Sequence, residues 1–410
     1  MGSAGGPRRR PRAAGARSQR LTATTQVADR AEGLPAGAER PLPPIAEAVV
    51  DWQRVHGRHG LPWHGSRDPY RVWLSEIMLQ QTQVTTVLAY YRHFLERFPD
   101  VTALAAASLD EVLALWSGLG YYSRARNLHR CAVVVVSEHG ARFPHSASEL
   151  AQLPGIGAST AAAIAAFCFD ERVAILDGNV KRVLARLLAF EGDPAVAGGQ
   201  RRLWAAATEL LPEREQDMAA YTQGLMDLGA TVCLARTPQC EACPLQAACA
   251  AHRTGRQQDY PVKRRRSSRK QREDWWLWLQ WRDQVWLQQR PHTGVWAGLW
   301  TLPMFSDEAS MNQALRQFGS AGTELPTIEH ALTHFDWTLH SWHIALKSQP
   351  PEPAMAVLGA GRWVALHELG SIALPAPLSK LLRRPVALPV GRGEPVVPAE
   401  TAAEKRRPSA

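Results

Sequence analysis

The sequence predicts a multidomain protein: an all-α domain closed by a cysteine-rich loop, then a smaller α+β domain. Three observations predict it. Apolar residues recur at helical spacing from Ile45 onward, and no strand-type alternation occurs before residue 260. Four of the six cysteines crowd into the seventeen positions from Cys233 to Cys249. Ten of the fifteen tryptophans then lie between Trp275 and Trp363, where alternating patterns begin.

A chain of 410 residues can bury the cores of two domains. No apolar run reaches the length needed to span a bilayer, so a soluble, non-membrane protein is expected. The net charge of +9, from 47 Lys+Arg and 38 Asp+Glu, suits a polyanionic partner, although basic tails alone can supply it. Six cysteines in this length do not make a secreted disulfide framework.

Residues 1–42 read as a disordered basic tail: positions 1–40 hold eight arginines against three acids, and no apolar stretch makes them a secretory signal. The helical domain is expected over 43–262. Ala48, Val49, Trp52 and Val55 open it, and Gly57 to Pro62 ends that first helix. Arg71 to Phe98 reads as one long helix or a pair, with Val72, Ile77, Val84, Leu88, Tyr91 and Leu95 on its apolar side. Glu76 lies in its first turns among Trp73, Leu74, Ile77 and Met78, either on a solvated face or as an acid in apolar surroundings. Leu104 to Trp116 reads as one amphipathic helix. The Gly-bracketed loop after it, with Tyr121 and Tyr122, is a plain connection or a presented stacking surface. A helix follows over Leu128 to Glu138, and two more over Leu203–Leu211 and Met218–Leu228.

Between these helices lies the stretch Leu150–Leu188. Leu153-Pro154-Gly155-Ile156-Gly157 is a tight turn feeding an Ala-rich helix that starts near Ser159. Unpaired amides and the helix dipole make such a start a seat for a phosphate, though Gly-x-Gly before a helix is common. Asp177-Gly178-Asn179 opens a second helix with Lys181 and Arg182 in its first turn. Asp177 alone reads equally as an N-cap.

Cys233, Cys240, Cys243 and Cys249 form a C-x6-C-x2-C-x5-C array. Four thiolates hold one zinc or one iron–sulfur cluster, and ligand chemistry does not choose between them. Cys131 and Cys168 fall on apolar helix positions and read as core. Seven basic residues and no acid from Lys263 to Arg272 mark a linker over 263–273. In the α+β domain, expected over 274–384, Trp276–Trp281 and Val285–Leu287 make a hairpin, His340–Leu346 a strand and Glu308–Phe318 a helix. The Pro-rich residues 385–410 read as a disordered tail.

Taken together, SEIMLQQTQV, GLGYYSRARNLH, LPGIGASTAAAI, LDGNVKRVLAR and the four-cysteine array resemble the helix–hairpin–helix DNA glycosylases, and within them the adenine DNA glycosylases of the MutY type. The resemblance covers residues 45 to about 370. It implies one [4Fe–4S] cluster on Cys233, Cys240, Cys243 and Cys249. It also implies duplex DNA as partner, with adenine opposite 8-oxoguanine or guanine flipped out and its N-glycosidic bond hydrolysed. Glu76 becomes the general acid, kept neutral by its apolar neighbours. Asp177 becomes the carboxylate that stabilises the sugar cation, held charged by its helix start and assisted by Asn179.

Further roles follow by matching position. Gly155, Ile156 and Gly157 hold a DNA phosphate; Gln81 and Thr82 enter near the orphan base; Leu119 and Tyr121 form the wedge beside 8-oxoguanine. Trp63 and Gln223 line the adenine pocket, and Arg236 touches a phosphate. Ser159 stands where the related endonuclease III-type lyases carry a Schiff-base lysine, so a monofunctional glycosylase is expected. The competing readings are such a pyrimidine glycosylase–lyase and a non-catalytic DNA-binding protein with a structural zinc. The second domain resembles the Nudix-like lesion-recognition domain of these enzymes. It lacks the glutamate-rich Nudix helix after Leu302, so no pyrophosphatase activity is expected. Its lesion-reading loop is Leu332-Thr333-His334 where the family has Phe-Ser-His, which keeps the hydroxyl and loses the aromatic ring. A bacterial, cytoplasmic, nucleoid-associated monomer is implied, with clamp or repair-protein contacts as further partners.

Overall fold

A computed structural model describes residues 45–262, 269–319, 322–332 and 334–383. The two expected tails, the basic run 263–268 and Thr333 lie outside the described residues. Among those described, no helix is long and apolar enough to cross a membrane.

The first part is helical throughout: α1 (Ile45–His56), α2 (Pro69–Leu79), α3 (Val84–Arg97), α4 (Val101–Ala106), α5 (Leu109–Leu115) and α6 (Ser123–His139). Then come α7 (Ala147–Leu150), α8 (Ala158–Phe169), α9 (Gly178–Leu187), α10 (Ala197–Glu209), α11 (Met218–Asp227) and, past the cysteine loop, α12 (Ala250–Arg253). Arg71–Phe98 is thus a pair of helices, parted at Gln81, whose φ of +58° is a left-handed conformation no helix accommodates. The apolar face of α3 also differs from the expected one. Val87, Tyr91 and Phe94 are buried, whereas Leu88 is 37% exposed. Aromatic packing sets that rotation: Tyr91 meets Trp63 edge-on at 5.2 Å, and Phe94 meets Trp116 at 6.0 Å. Leu104–Trp116 is likewise two helices, because Ser108 accepts the Glu111 N–H and starts α5 afresh.

The second part is a mixed sheet with strand order β3-β2-β1-β6-β5. Its strands are β1 (Lys270–Trp281), β2 (Gln284–Gln289), β3 (Trp300–Thr301), β4 (Met304–Phe305), β5 (Thr323–Ala331), β6 (Phe335–Leu346) and β7 (Arg362–Ala365). Helices α13 (Glu308–Arg316), α14 (Glu352–Ala356) and α15 (Ala376–Leu382) complete it. The β1–β2 hairpin matches expectation, but β1 begins at Lys270, inside the expected linker, and β6 begins at Phe335 rather than His340. Both extensions come from one parallel pairing that runs from Lys270 opposite Phe335 to Trp281 opposite Leu346. Pairing partners far apart in sequence are invisible to local periodicity.

Alternation along β1 divides its side chains between two cores. Leu277 and Leu279 pack with Met311 and Ala314 of α13. Trp276 and Trp278 enter the core that continues through Leu374 and Leu378 into the helices around Trp116. Polar bonds cross the same junction: the Tyr122 hydroxyl (2.9 Å) and Ser117 Oγ (3.1 Å) donate to the Leu374 carbonyl, and Arg126 donates to the Ala297 carbonyl at 2.8 Å. The loop between α5 and α6 is therefore docked on the sheet domain.

Candidate active site

Asp68 starts α2 by accepting the Tyr70 N–H at 2.9 Å, and Pro69 occupies the first turn where no amide partner is needed. This helix is buried on most sides by Val72, Trp73, Leu74, Ser75, Ile77 and Met78. Glu76, in its second half rather than its first turns, is the carboxyl on the remaining face. It lines a cavity of about 1280 Å³. Burial pushes its carboxyl up to about 8, and the charge of Asp177 adds to the shift.

Asp177 enters the same cavity from the start of α9. Its Oδ1 accepts the Val180 N–H at 2.7 Å. The expectation that the helix start holds this carboxyl low is corrected. Burial raises it above the ordinary aspartate value, and the Val180 and Asn179 amides with Arg182 and Lys181 only oppose that rise. Asn179 Oδ1 accepts from Arg182 at 2.9 Å, and Arg182 also donates to the Gly229 and Cys233 carbonyls. Gly229 has to be glycine: a Cβ there would stand 2.5 Å from the Asn179 Cβ.

Trp63, Gln81, Thr82, Ser159, Asn179 and Gln223 line this cavity with the two carboxyls. Ser159 is on the first turn of α8, and no lysine lines the cavity among the described residues. Trp63 is buried against Tyr91, so it forms wall rather than rim. Gln223 donates Nε2 to Asp227 at 2.8 Å.

The Leu153–Gly157 turn lies outside the cavity, leading into α8. Gly155 has φ +77°, and a Cβ would meet the Asn127 Cβ at 2.5 Å, so both conformation and space require glycine. Gly157 begins α8 with no side-chain cap and nothing within 4 Å of where a Cβ would stand. Open space above uncapped amides is what an approaching phosphate needs. Ile156 is buried and anchors the turn.

Leu119 and Tyr121 do not form a matched wedge. Tyr121, at φ +49°, exposes 46% of its surface, whereas Leu119 is 6% exposed in the core. His334 is exposed in the β5–β6 turn, and Leu332 packs partly against the core there.

Arg124 escaped the sequence reading. Its guanidinium is buried with no carboxylate partner. It donates to the carbonyls of Ile77 (2.7 Å), Met78 (2.9 Å), Leu119 (3.3 Å) and Gly120 (3.2 Å), and to Thr82 Oγ1 at 3.1 Å. Burial lowers it to about 10. One side chain thus ties the end of α2, the Gln81–Thr82 turn and the Leu119–Tyr121 loop together. Arg58 and buried Asp227 escaped as well, bonded at 2.7 Å. The available signal was an acid inside the apolar run LMDLGA.

Cys233, Cys240, Cys243 and Cys249 line one small pocket between α9 and the loop. The Cys243 thiol is pushed up to about 11, by burial and then by the charges of Cys233, Cys249 and Cys240. Such mutually repelling thiols ionise together only around positive charge. Among the described residues no three of His, Cys, Asp and Glu stand close enough to hold a single metal ion. Cys131 and Cys168 are buried in the core, each thiol pushed up to about 12 by burial.

Residues 74–207 match the family described as HhH-GPD superfamily base excision DNA repair protein, and residues 275–384 match the NUDIX domain. The chain is 32% identical over 342 residues to an adenine DNA glycosylase of Buchnera aphidicola subsp. Schizaphis graminum, covering 82% of this chain and 97% of that one. It is 34% identical over 400 residues to the adenine DNA glycosylase of Rattus norvegicus, covering 82% of this chain and 76% of that one. Among solved structures, a thermostable thymine-DNA glycosylase aligns with a TM-score of 0.46 at 27% identity, over 51% of this chain and 95% of that one.

Proposed function

The chain belongs to the adenine DNA glycosylase family, and from that premise we propose that it excises adenine opposite 8-oxoguanine or guanine in duplex DNA by monofunctional hydrolysis. The observation that carries this reading is the pairing of Glu76 and Asp177 across one cavity, with the glutamate titrating near 8. At neutral pH Glu76 holds a proton. It donates that proton to a ring nitrogen of the flipped base as the C1′–N9 bond breaks and its electron pair moves onto the base. Asp177, in its ionised form, stands against the cationic sugar. Water then adds to C1′ and its proton returns to Glu76, leaving free adenine and an abasic site. Flipping costs a few kcal/mol, least for a mispair, which favours mispaired adenine over adenine paired with thymine.

The uncapped start of α8 holds a backbone phosphate, and Gln81, Thr82 and Tyr121 meet the strand opposite the flipped base. The second domain, whose β5–β6 turn exposes His334, contributes lesion recognition. The four cysteines fit a [4Fe–4S] cluster as four thiol donors lining one pocket. When bound, such a cluster supplies the positive centre that keeps the four thiolates ionised and the loop ordered. Arg182 and Arg186 of α9 meet that loop through the Cys233 carbonyl and sulfur.

The test is chromatographic identification of the base released under single-turnover conditions. Adenine from A·8-oxoguanine and A·guanine duplexes, with none from A·thymine, is the expected result. Release of an oxidised pyrimidine instead favours the lyase-type alternative, and no release at all contradicts an enzymatic reading.

A further inference from the structure

Asp227 is wholly buried at the end of α11, one turn beyond Gln223. Its carboxylate collects three donors: the Arg58 backbone N–H at 2.8 Å, Arg58 Nε at 2.7 Å, and Gln223 Nε2 at 2.8 Å. A carboxylate only accepts hydrogen bonds, so the amide end turned towards it must be the NH2. The Gln223 oxygen is then the end offered to the cavity that Gln223 lines. The same carboxylate anchors Arg58, at the start of the loop that carries Trp63, another residue lining the cavity.

We propose that Asp227 is a positioning residue for substrate choice. By fixing the Gln223 amide it makes that edge of the pocket an acceptor, which takes the 6-amine of a purine and repels a 6-carbonyl. This rests on the reading that the flipped base enters beside Gln223. A pocket lined by an unconstrained glutamine lacks this preference, since either end of a free amide can turn inward at little cost. Asp227→Asn removes the constraint, because asparagine offers both a donor and an acceptor and lets Gln223 invert.

The test compares single-turnover release of adenine and of hypoxanthine, its 6-oxo counterpart, each opposite 8-oxoguanine, by the full-length protein. Asp227→Asn is expected to narrow the adenine-to-hypoxanthine rate ratio by roughly tenfold or more, the scale of one charge-assisted hydrogen bond. Asp227→Glu, which keeps the acceptor, is expected to restore part of it. In a Gln223→Met background the Asp227→Asn change is expected to leave the ratio alone, since its effect runs through that amide. Equal slowing of both bases by Asp227→Asn, with the ratio unchanged, overturns the inference and leaves Asp227 a structural anchor. If Gln223→Met by itself does not move the ratio, the placement of the base beside Gln223 fails instead.

Discussion

Glu76 and Asp177 face one cavity, and after burial it is the charge of Asp177 that lifts the Glu76 carboxyl to about 8. Negative charge on Asp177 helps the glutamate keep its proton, while the Val180 and Asn179 amides with Arg182 and Lys181 favour the charged form of the aspartate against its burial. Different partners thereby push the two carboxyls of one cavity towards an acid and an anion.

A bell-shaped pH dependence of the chemical step follows. Glu76 acts while protonated, so the rate is expected to fall as pH rises through about 8. Asp177 acts while ionised, so the acid limb is expected above the ordinary aspartate range, as burial dictates. The two limbs belong to the coupled pair rather than to either residue alone. Stability carries the same sign. The folded state retains the Glu76 proton between the usual carboxylate value and about 8, so it loses stability as pH rises through that window, by at most about 1.4 kcal/mol per pH unit. Glu76→Gln is expected to remove that loss, which urea melts at pH 5 and about pH 8 measure directly.

How much of this was legible depended on range. Asp177 could be read as a helix start from Asp-Gly-Asn, and Gly155 as a turn glycine, because both signals are local. That Glu76 is desolvated was read from its apolar neighbours Trp73, Leu74, Ile77 and Met78 once the resemblance gave it the acid's role; that α8, α9 and α11 supply the other walls was not, since local spacing does not show them. The direction of the Asp177 shift was misread for the same reason: the sequence displays the helix dipole and conceals the burial. The strand start at Lys270 was hidden because its partner, Phe335, is distant in the chain.

Arg124 is expected to matter more than its anonymity in the sequence suggests. Arg124→Met removes the guanidinium donor from the Ile77, Met78 and Leu119 carbonyls and the Thr82 hydroxyl, and leaves the Gly120 carbonyl with its Trp116 Nε1 bond alone. A loss of roughly 2–4 kcal/mol in a denaturant melt is expected. Binding to a lesion duplex is expected to weaken beyond what that loss explains, because the Gln81–Thr82 turn and the Tyr121 loop are no longer tied. A melt within about 0.5 kcal/mol of the parent protein contradicts this role.

The cysteine pocket gives a spectroscopic prediction. The purified protein is expected to be brown, with about four irons per chain, as a [4Fe–4S] cluster requires. Cys243→Ser is expected to lower both iron and visible absorption. A colourless protein with one zinc per chain contradicts the cluster and returns the array to a structural zinc site.

The most direct measurement is single-turnover strand cleavage of a duplex with one A·8-oxoguanine pair, worked up with and without alkali, for the parent protein and Glu76→Gln. Breaks only after alkali, and none with Glu76→Gln, are what a monofunctional glycosylase with Glu76 as its acid predicts. Breaks without alkali, accompanied by a borohydride-trapped covalent complex, contradict it: an amine is then attacking the sugar, and Ser159 is not the residue that decides the chemistry.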